Sequence, residues 1–354
     1  MKFLRGRWLY IGLAALTLSL YARLFLAHHR AIVESGSVIA AAEREDAATS
    51  AARLKAMDLG VKDVLKAARR RPDLALWLML FVAVGALIAV GGIVMSVRAM
   101  WTGRIRNLFS YPSRLPYVWP LGDALRLIAL LALLAMLLPF VRFGLMLFDV
   151  TRFNDVHAWS LASMFVLYGL LLLLVWGFAS LRGQRVRTVL GLITAHARAA
   201  IGEGLAGYVA TFPWIFGLIG AIGAICQRFG INPGVEPIHE LIFFEQRGLI
   251  VAWTVLLACV LGPIAEEIFF RGILYSALRQ RCSRRTAMLI SSALFSLVHT
   301  NLIGFIPIVV LGWLLADRYE RTGSLLSPIA IHILHNSFLM AVALLLKQLV
   351  AVAT

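Results

Sequence analysis

The sequence predicts an all-α membrane protein: a bundle of about eight or nine transmembrane helices, with an amphipathic helical segment outside the membrane. Of its 354 residues, 61% are hydrophobic and 15% are charged, and the mean hydropathy is +0.85. Soluble domains are nearer half apolar and a quarter charged. Apolar windows of about 20 residues recur, which is the length that crosses roughly 30 Å of hydrocarbon as a helix. The alternating polarity of a membrane β-barrel is absent.

The chain is strongly basic, with 34 Lys and Arg against 18 Asp and Glu and a formal net charge of +16. The basic residues are concentrated in short loops between apolar spans. The positive-inside rule and anionic lipid headgroups account for that arrangement. The composition therefore predicts contact with a lipid bilayer and excludes nucleic acid as the partner.

The first part of the chain combines an apolar segment with a charged one. Residues 8–27 are interpreted as a retained first span or signal anchor. Residues 28–73 are rich in Ala, Glu, Asp, Lys and Arg, with apolar residues at helical spacing, which predicts an amphipathic helical segment outside the membrane core. A solvated hairpin or surface-lying helix is the main interpretation, and a role in sensing a partner or substrate is the alternative.

The other spans follow from the apolar windows. We predict them at residues 74–97, 124–147, 159–180, 204–226, 248–262, 287–299, 303–316 and 325–347. Small residues in the fifth span are of the kind that lets helices approach closely in lipid: Gly207, Gly217, Gly220 and Gly223. Pro263 is expected to break or kink the sixth helix. Basic loops follow every second crossing, which places them in the cytoplasm and the C-terminus outside.

Two adjacent carboxylates and a guanidinium lie in an apolar stretch after residue 262: Glu266, Glu267 and Arg271. Each charge held in hydrocarbon costs roughly 2.5–3.5 kcal/mol on the insertion scale, so the group needs partners. Glu267 and Arg271 are four residues apart and can pair along one stripe of the helix. Glu266 is rotated by about 100° from Glu267, which leaves it free to face a cavity.

Three histidines in the late apolar helices are candidate partners for Glu266: His299, His332 and His335. Phe295 shares a helix face with His299, Asn336 shares one with His332, and His335 is near enough to be an alternative to His332. A carboxylate and a histidine can polarise a water, one taking its proton while the other orients it or binds a metal. A second histidine and an asparagine supply donors for an oxyanion. The set is suited to hydrolysis of an amide.

Together these residues resemble the three-motif signature of the CPBP family, the CAAX-protease and bacteriocin-processing intramembrane proteases, also called the Abi family. The motifs are Glu266-Glu267-x-x-x-Arg271, Phe295-x-x-x-His299 and His332-x-x-x-Asn336. The match is complete in residue type and order. It covers roughly residues 204–349. We therefore divide the chain into an N-terminal membrane region, residues 1–198, and a CPBP-like catalytic membrane core, residues 199–354.

The resemblance implies a CAAX-prenyl-endopeptidase-like intramembrane protease whose site opens toward the cytoplasm. It implies that Glu266 activates a water, that His299 helps to hold the water, and that His332 and Asn336 stabilise the oxyanion. Supporting residues are Glu267, Arg271, Phe295 and His335. The family is often labelled metalloprotease, and a metal-free glutamate mechanism is also argued for it. Zinc on Glu266, His299 and His332 and no cofactor both stay open, because the zincin pattern His-Glu-x-x-His is absent.

Two other functions stay open. The polar cluster could fasten helices together in a non-enzymatic scaffold or immunity protein, or it could relay protons in a transporter. For the protease, a membrane protein or small peptide is the expected substrate. Cleavage of prenylated CAAX proteins is not expected, because the architecture suggests a bacterial protein and those substrates are mainly eukaryotic. The architecture predicts a multi-pass protein of the cell membrane, in a bacterium the inner membrane.

Overall fold

The computed structural model of this protein describes residues 61–103, 111–117, 119–147, 155–192, 196–229, 241–243, 245–299 and 304–353. These ranges are helical almost throughout and contain no strand, which confirms the predicted all-α class. The first predicted span and residues 28–60 of the predicted amphipathic segment lie outside the described residues.

Ten helices follow one another along the described part of the chain. They are α1 (Val61–Arg70), α2 (Pro72–Trp101), α3 (Leu121–Leu147), α4 (Val156–Leu181), α5 (Val186–Val189), α6 (Ala197–Arg228), α7 (Gly248–Leu278), α8 (Arg284–Leu297), α9 (Phe305–Thr322) and α10 (Leu326–Ala353). Six of the described helices are long and apolar enough to cross a membrane: α2, α3, α4, α6, α7 and α10. The protein is therefore a multi-pass membrane protein.

Two helices at predicted spans do not meet that standard of length and composition. Helix α8 has 14 residues, about 21 Å at 1.5 Å per residue, which is shorter than the hydrocarbon core. Helix α9 has 18 residues, but its last two turns carry four charged side chains: Asp317, Arg318, Glu320 and Arg321. The predicted total of eight or nine spans is thus not confirmed by the described helices.

The described residues divide into two compact units. The first comprises residues 61–78, 128–147 and 344–353. Its buried core joins α1, α2 and α10 through Ala67, Leu74 and Leu349. Helix α1 lies in the segment that the sequence predicts to be helical and amphipathic, so the helical part of that prediction is confirmed for residues 61–70.

The second unit comprises residues 79–127 and 155–343 and contains every candidate site residue. Its core joins α6, α9 and α10 through Tyr208, Phe212, Ile215, Leu311, Leu314, Leu315 and Ile331. Helices α6 and α9 approach closely at Gly207, where an added Cβ would lie 3.0 Å from Arg318 Nη1. For Gly217, Gly220 and Gly223 close approach stays a prediction, because an added Cβ there would meet no atom of the described residues within 4 Å.

A cluster of charged side chains ties the start of α4 to the start of α7. Asp155 caps α4 by accepting hydrogen bonds from the backbone N–H groups of His157 and Ala158, at 3.0 and 3.1 Å. Arg247 immediately precedes α7 and donates to both Asp155 and Glu245. His157 Nδ1 lies 2.7 Å from Glu245 Oε2. Helices α4 and α7 therefore begin on the same side, as the alternation of basic loops predicts.

This cluster predicts a pH-dependent stability. Hydrogen bonds from Arg247 hold the pKa of Glu245 and of Asp155 below the ordinary range. A carboxyl whose folded-state pKa is lowered adds stability above its unfolded pKa, about 4, and that stability is lost as pH falls toward the folded value. We expect Arg247→Gln to lower the thermal midpoint at pH 7, and we expect its difference from wild type to shrink below about pH 4.

Thermal unfolding in detergent micelles between pH 7 and pH 3 measures this difference. The exposed Arg185 just before α5 provides a matched control, and Arg185→Gln is expected to change the midpoint little at any pH. A difference between Arg247→Gln and wild type that keeps its size down to pH 3 would contradict the interpretation.

A second charged cluster fixes the other end of α7. Glu320 of α9 is fully buried. It accepts hydrogen bonds from the Tyr275 hydroxyl at 2.5 Å and from Arg284 at 3.2 Å, and Arg279 also donates to it at 3.3 Å. Helix α7 is thus anchored at both ends, and the two glutamates lie between the anchors.

Candidate active site

Helix α7, which carries both glutamates, changes its hydrogen-bond pattern twice. The segments Leu257–Leu261 and Ile268–Tyr275 are π-helical, and the α-helical turn Gly262–Glu267 lies between them. The helix continues through Pro263, so the predicted break is wrong, and the kink that was its alternative stays a prediction. Short π segments inside α-helices frequently occur at functional sites.

The π segment leaves one carbonyl without a backbone donor. In a π-helix the N–H of residue i+5 serves the carbonyl of residue i, as the N–H of Gly262 does for Leu257. The next such pair would join Pro263 to Ala258, and proline has no N–H. Asn336 of α10 takes the place of that donor, because its Nδ2 donates to the Ala258 carbonyl over 2.9 Å.

This contact predicts a coupling between Asn336 and Pro263. We expect Asn336→Ala to cost about 1 kcal/mol of stability, because it removes the donor for the half-buried Ala258 carbonyl. The change Pro263→Ala returns an N–H to position 263, so Asn336→Ala should cost less in that background. Thermal unfolding of the wild type, both single variants and the double variant measures the coupling. An equal cost in the two backgrounds would show that Asn336 does not replace the missing backbone donor.

Glu267 and Arg271 form the ion pair that their spacing predicts, and both side chains are fully buried. Arg271 Nη1 donates to Glu267 Oε1 at 2.7 Å, and its Nη2 donates to the Gly312 carbonyl of α9 at 3.2 Å. His332 Nδ1 lies 2.9 Å from the same oxygen of Glu267. Because an ionised carboxylate only accepts, the Nδ1 of His332 carries a proton. Glu267 therefore links the ion pair to His332 and fixes the orientation of its ring.

The aromatic ring of Phe295 in α8 packs against these charged side chains. Its ring is buried, and the guanidinium carbon of Arg271 lies 4.3 Å from its centroid. The same ring contacts His299 and His332, with centroids 4.7 and 5.6 Å away. The arginine is thus stabilised by a cation–π contact, and both histidine rings pack against one rigid surface.

His299 lies just after α8 ends at Leu297, and not inside a helix as the predicted span 287–299 implies. Its Nδ1 is 2.7 Å from the Phe295 carbonyl. A carbonyl oxygen only accepts, so the ring donates through Nδ1 and its neutral form keeps an unprotonated Nε2. The backbone at the end of α8 therefore orients His299 as Glu267 orients His332.

Glu266 faces both histidines through a single oxygen. Its Oε2 lies 3.9 Å from His299 Nε2 and 3.8 Å from His332 Nε2. This oxygen is buried and has no hydrogen-bond partner within the described part of the chain. The separations exceed a direct hydrogen bond, but one water placed among the three atoms can contact all of them. The side chains of Glu266 and His299 are 23% and 30% exposed, while Glu266 Oε2 and the His332 side chain are buried.

Residues 248–338 match the family model described as type II CAAX prenyl endopeptidase Rce1-like. This segment is Rce1-like. It contains all three predicted motifs, from Glu266 to Asn336, and it covers about a quarter of the chain. The predicted resemblance to the CAAX proteases is thus confirmed for that segment.

Two curated bacterial proteins are similar to part of the chain. "Putative membrane peptidase YdiL" of Bacillus subtilis is 32% identical over 116 residues, which is 33% of this chain and 46% of that protein. "Uncharacterized 24.3 kDa protein" of Escherichia coli is 28% identical over 127 residues, 34% of this chain and 58% of that protein. The chain thus spans about half the length of the curated relatives it matches. No solved structure matches it.

A tyrosine from outside the Rce1-like segment also contacts Glu266, which lies within that segment. Tyr168 of α4 donates from its hydroxyl to Glu266 Oε1 at 3.4 Å. The sequence does not single out this residue, because one tyrosine in an apolar span is ordinary for a transmembrane helix. Only the packing of α4 beside α7 brings it to the site.

His335 lies in the Rce1-like segment but faces a different helix from His332. Its Nδ1 is 2.9 Å from the Tyr208 hydroxyl of α6, and the two rings pack edge to face. Of the two histidines that the spacing left as alternatives, His332 contacts the glutamates. His335 packs α10 against α6.

The predicted zinc ligands do not form a metal site as they are placed. Zinc binds nitrogen and carboxylate oxygen at about 2.0–2.2 Å, usually in tetrahedral geometry. Glu266, His299 and His332 are near one another. Nevertheless, no group of three or more His, Cys, Asp or Glu in the described ranges has the geometry to hold a metal ion.

Proposed function

We propose that this protein is an intramembrane endopeptidase in which Glu266 activates a water molecule for hydrolysis of a peptide bond. The proposal depends on one observation: Glu266 Oε2 is buried without a hydrogen-bond partner in the described residues and faces the Nε2 atoms of His299 and His332. Glu267 is paired with the Arg271 guanidinium, whereas Glu266 faces two histidines that can share a water molecule or a proton with it.

The proposed reaction begins with a water held among Glu266, His299 and His332. Glu266 Oε2 takes one proton from the water while His299 Nε2 accepts a hydrogen bond from the other, and the oxygen attacks the peptide carbonyl. The reaction adds one water: the carbonyl carbon gains the hydroxyl group and the C–N bond breaks. Glu266 then returns the proton to the leaving amine.

The oxyanion that forms on the substrate requires hydrogen-bond donors. His332 can donate from Nε2 only as an imidazolium, and the Glu267 carboxylate on its Nδ1 stabilises that charged form. Asn336 uses one Nδ2 hydrogen on the Ala258 carbonyl and retains a second for the oxyanion. On this proposal Asn336 has two roles, so Pro263→Ala should restore the stability of an Asn336→Ala variant without restoring cleavage.

The proposed substrate is a membrane protein or membrane-associated peptide, because the site lies on helices that cross the bilayer. We place the protein in a bacterial cell membrane. Glu266 is nearer the Leu278 end of α7, and a basic loop follows that end: Arg279, Arg281, Arg284 and Arg285. The positive-inside rule would put this loop, and the accessible side of the site, toward the cytoplasm.

Cleavage in reconstituted vesicles tests the proposal. Purified wild type and the Glu266→Ala, His299→Ala and His332→Ala variants are incubated with membrane-spanning and membrane-associated peptides, and products are identified by mass spectrometry. We expect cleavage by the wild type and loss of cleavage in each variant. Activity that survives all three changes would overturn the proposed function.

A further inference from the structure

We propose that Tyr168 is a positioning residue for Glu266: its hydroxyl holds Oε1 and thereby directs Oε2 at the two histidines. The inference rests on the proposed function. The two oxygens of Glu266 have different surroundings, because Oε1 accepts from Tyr168 at 3.4 Å while Oε2 lies 3.8–3.9 Å from the two imidazoles. A hydrogen bond to one oxygen limits rotation of the carboxylate, and the other oxygen is then held in place.

The space for this contact is provided by Gly262, one helical turn before Glu266. A Cβ at this position would lie 3.3 Å from the Tyr168 hydroxyl, 3.6 Å from Glu266 Oε1 and 2.8 Å from the Leu257 carbonyl. A methyl group there would clash with the Leu257 carbonyl and crowd the Tyr168 hydroxyl, and it would be in ordinary contact with Glu266 Oε1. The absence of a side chain at Gly262 leaves room for the hydrogen bond between Tyr168 and Glu266.

The position of α4 beside α7 is fixed independently of the site. One turn before Tyr168, Phe165 packs edge to face against Trp253 of α7 with centroids 5.4 Å apart. At the start of α4, Asp155 is bound by Arg247. Residues three apart on a helix lie on the same face, so Tyr168 is presented to α7 by the same face as Phe165. A helix outside the Rce1-like segment thus contributes a donor to the site within it.

The proposed task of Tyr168 is compatible with every step of the reaction. Glu266 takes and returns a proton on Oε2, so Oε1 remains an acceptor in both the ionised and the protonated carboxyl group. The tyrosine hydroxyl therefore keeps its hydrogen bond throughout and neither gains nor loses a proton. The hydroxyl aligns the general base Glu266. Alignment of the base affects the chemical step and not substrate binding.

The change Tyr168→Phe tests the proposal against the matched control Tyr208→Phe, which removes a hydroxyl bound to His335 instead. For Tyr168→Phe we expect kcat to fall on the order of tenfold with KM unchanged. We also expect the carboxylate bands of Glu266 to shift in infrared spectra, where subtraction of the Glu266→Gln spectrum identifies them. Tyr208→Phe should leave the bands and kcat at their wild-type values.

Unchanged kcat together with unchanged Glu266 bands in Tyr168→Phe would overturn the proposal, and so would equal effects in the control. The infrared measurement needs no substrate. If the wild type cleaves nothing, the proposed function fails, while the bands still decide whether Tyr168 holds the carboxylate. If Tyr168→Phe does not fold, Tyr168→Leu takes its place, because it also removes the hydroxyl and should shift the same bands.

Discussion

The variant Glu266→Gln is expected to lower kcat by a factor of about 10²–10⁴, the usual contribution of a general base, while the thermal midpoint stays near the wild-type value. An amide cannot take the proton from water, so the chemical step loses its acceptor. The fold should tolerate the change because glutamine has nearly the same shape and its oxygen can still accept from Tyr168. The replaced Oε2 has no hydrogen bond to lose among the described residues.

Peptide cleavage in vesicles and thermal unfolding of the same preparations measure both parts of this expectation. Glu203→Gln is the matched control, since Glu203 is exposed on α6 and has no role in the proposed reaction. If Glu266→Gln keeps the biological activity of the wild type, the polar cluster serves as a scaffold and the protease proposal is wrong. A large loss of stability in this variant would instead indicate a partner for Oε2.

The pairing of the charged residues was predictable from the sequence, because charges in apolar helices require partners. Helical spacing alone gave the Glu267–Arg271 pair. The same rule placed His332 and Asn336 on one face of their helix, and both side chains contact α7. Such predictions depend only on local geometry, which an α-helix fixes.

The parts that the sequence did not predict depend on packing between helices. Tyr168 reaches Glu266 from a span that lies about a hundred residues earlier in the chain. Asn336 serves a carbonyl that is free only because α7 becomes π-helical before Pro263. The link from Glu267 to His332 joins two helices. No spacing within one helix contains that information.

The variant Arg271→Met is expected to lower the free energy of unfolding by about 3–5 kcal/mol, the usual cost of removing one partner from a buried ion pair. Arg271 and Glu267 are both fully buried, so the change leaves a carboxylate without its counter-charge in an apolar interior. It also removes the hydrogen bond to the Gly312 carbonyl and the stacking on Phe295. Denaturant unfolding in mixed micelles measures the loss, and exposed Arg185→Met is the control.

The double variant Glu267→Gln/Arg271→Met separates the cost of an unpaired charge from the loss of contacts. Removing both charges should recover a large part of the stability that Arg271→Met loses, because the uncompensated carboxylate is gone. Cleavage should not recover with it. The oxygen of a glutamine can still accept from His332 Nδ1, but a neutral amide does not stabilise the imidazolium that the proposed oxyanion contact requires. A double variant that is as unstable as Arg271→Met would show that the guanidinium contacts, and not the charge of Glu267, determine the stability of this site.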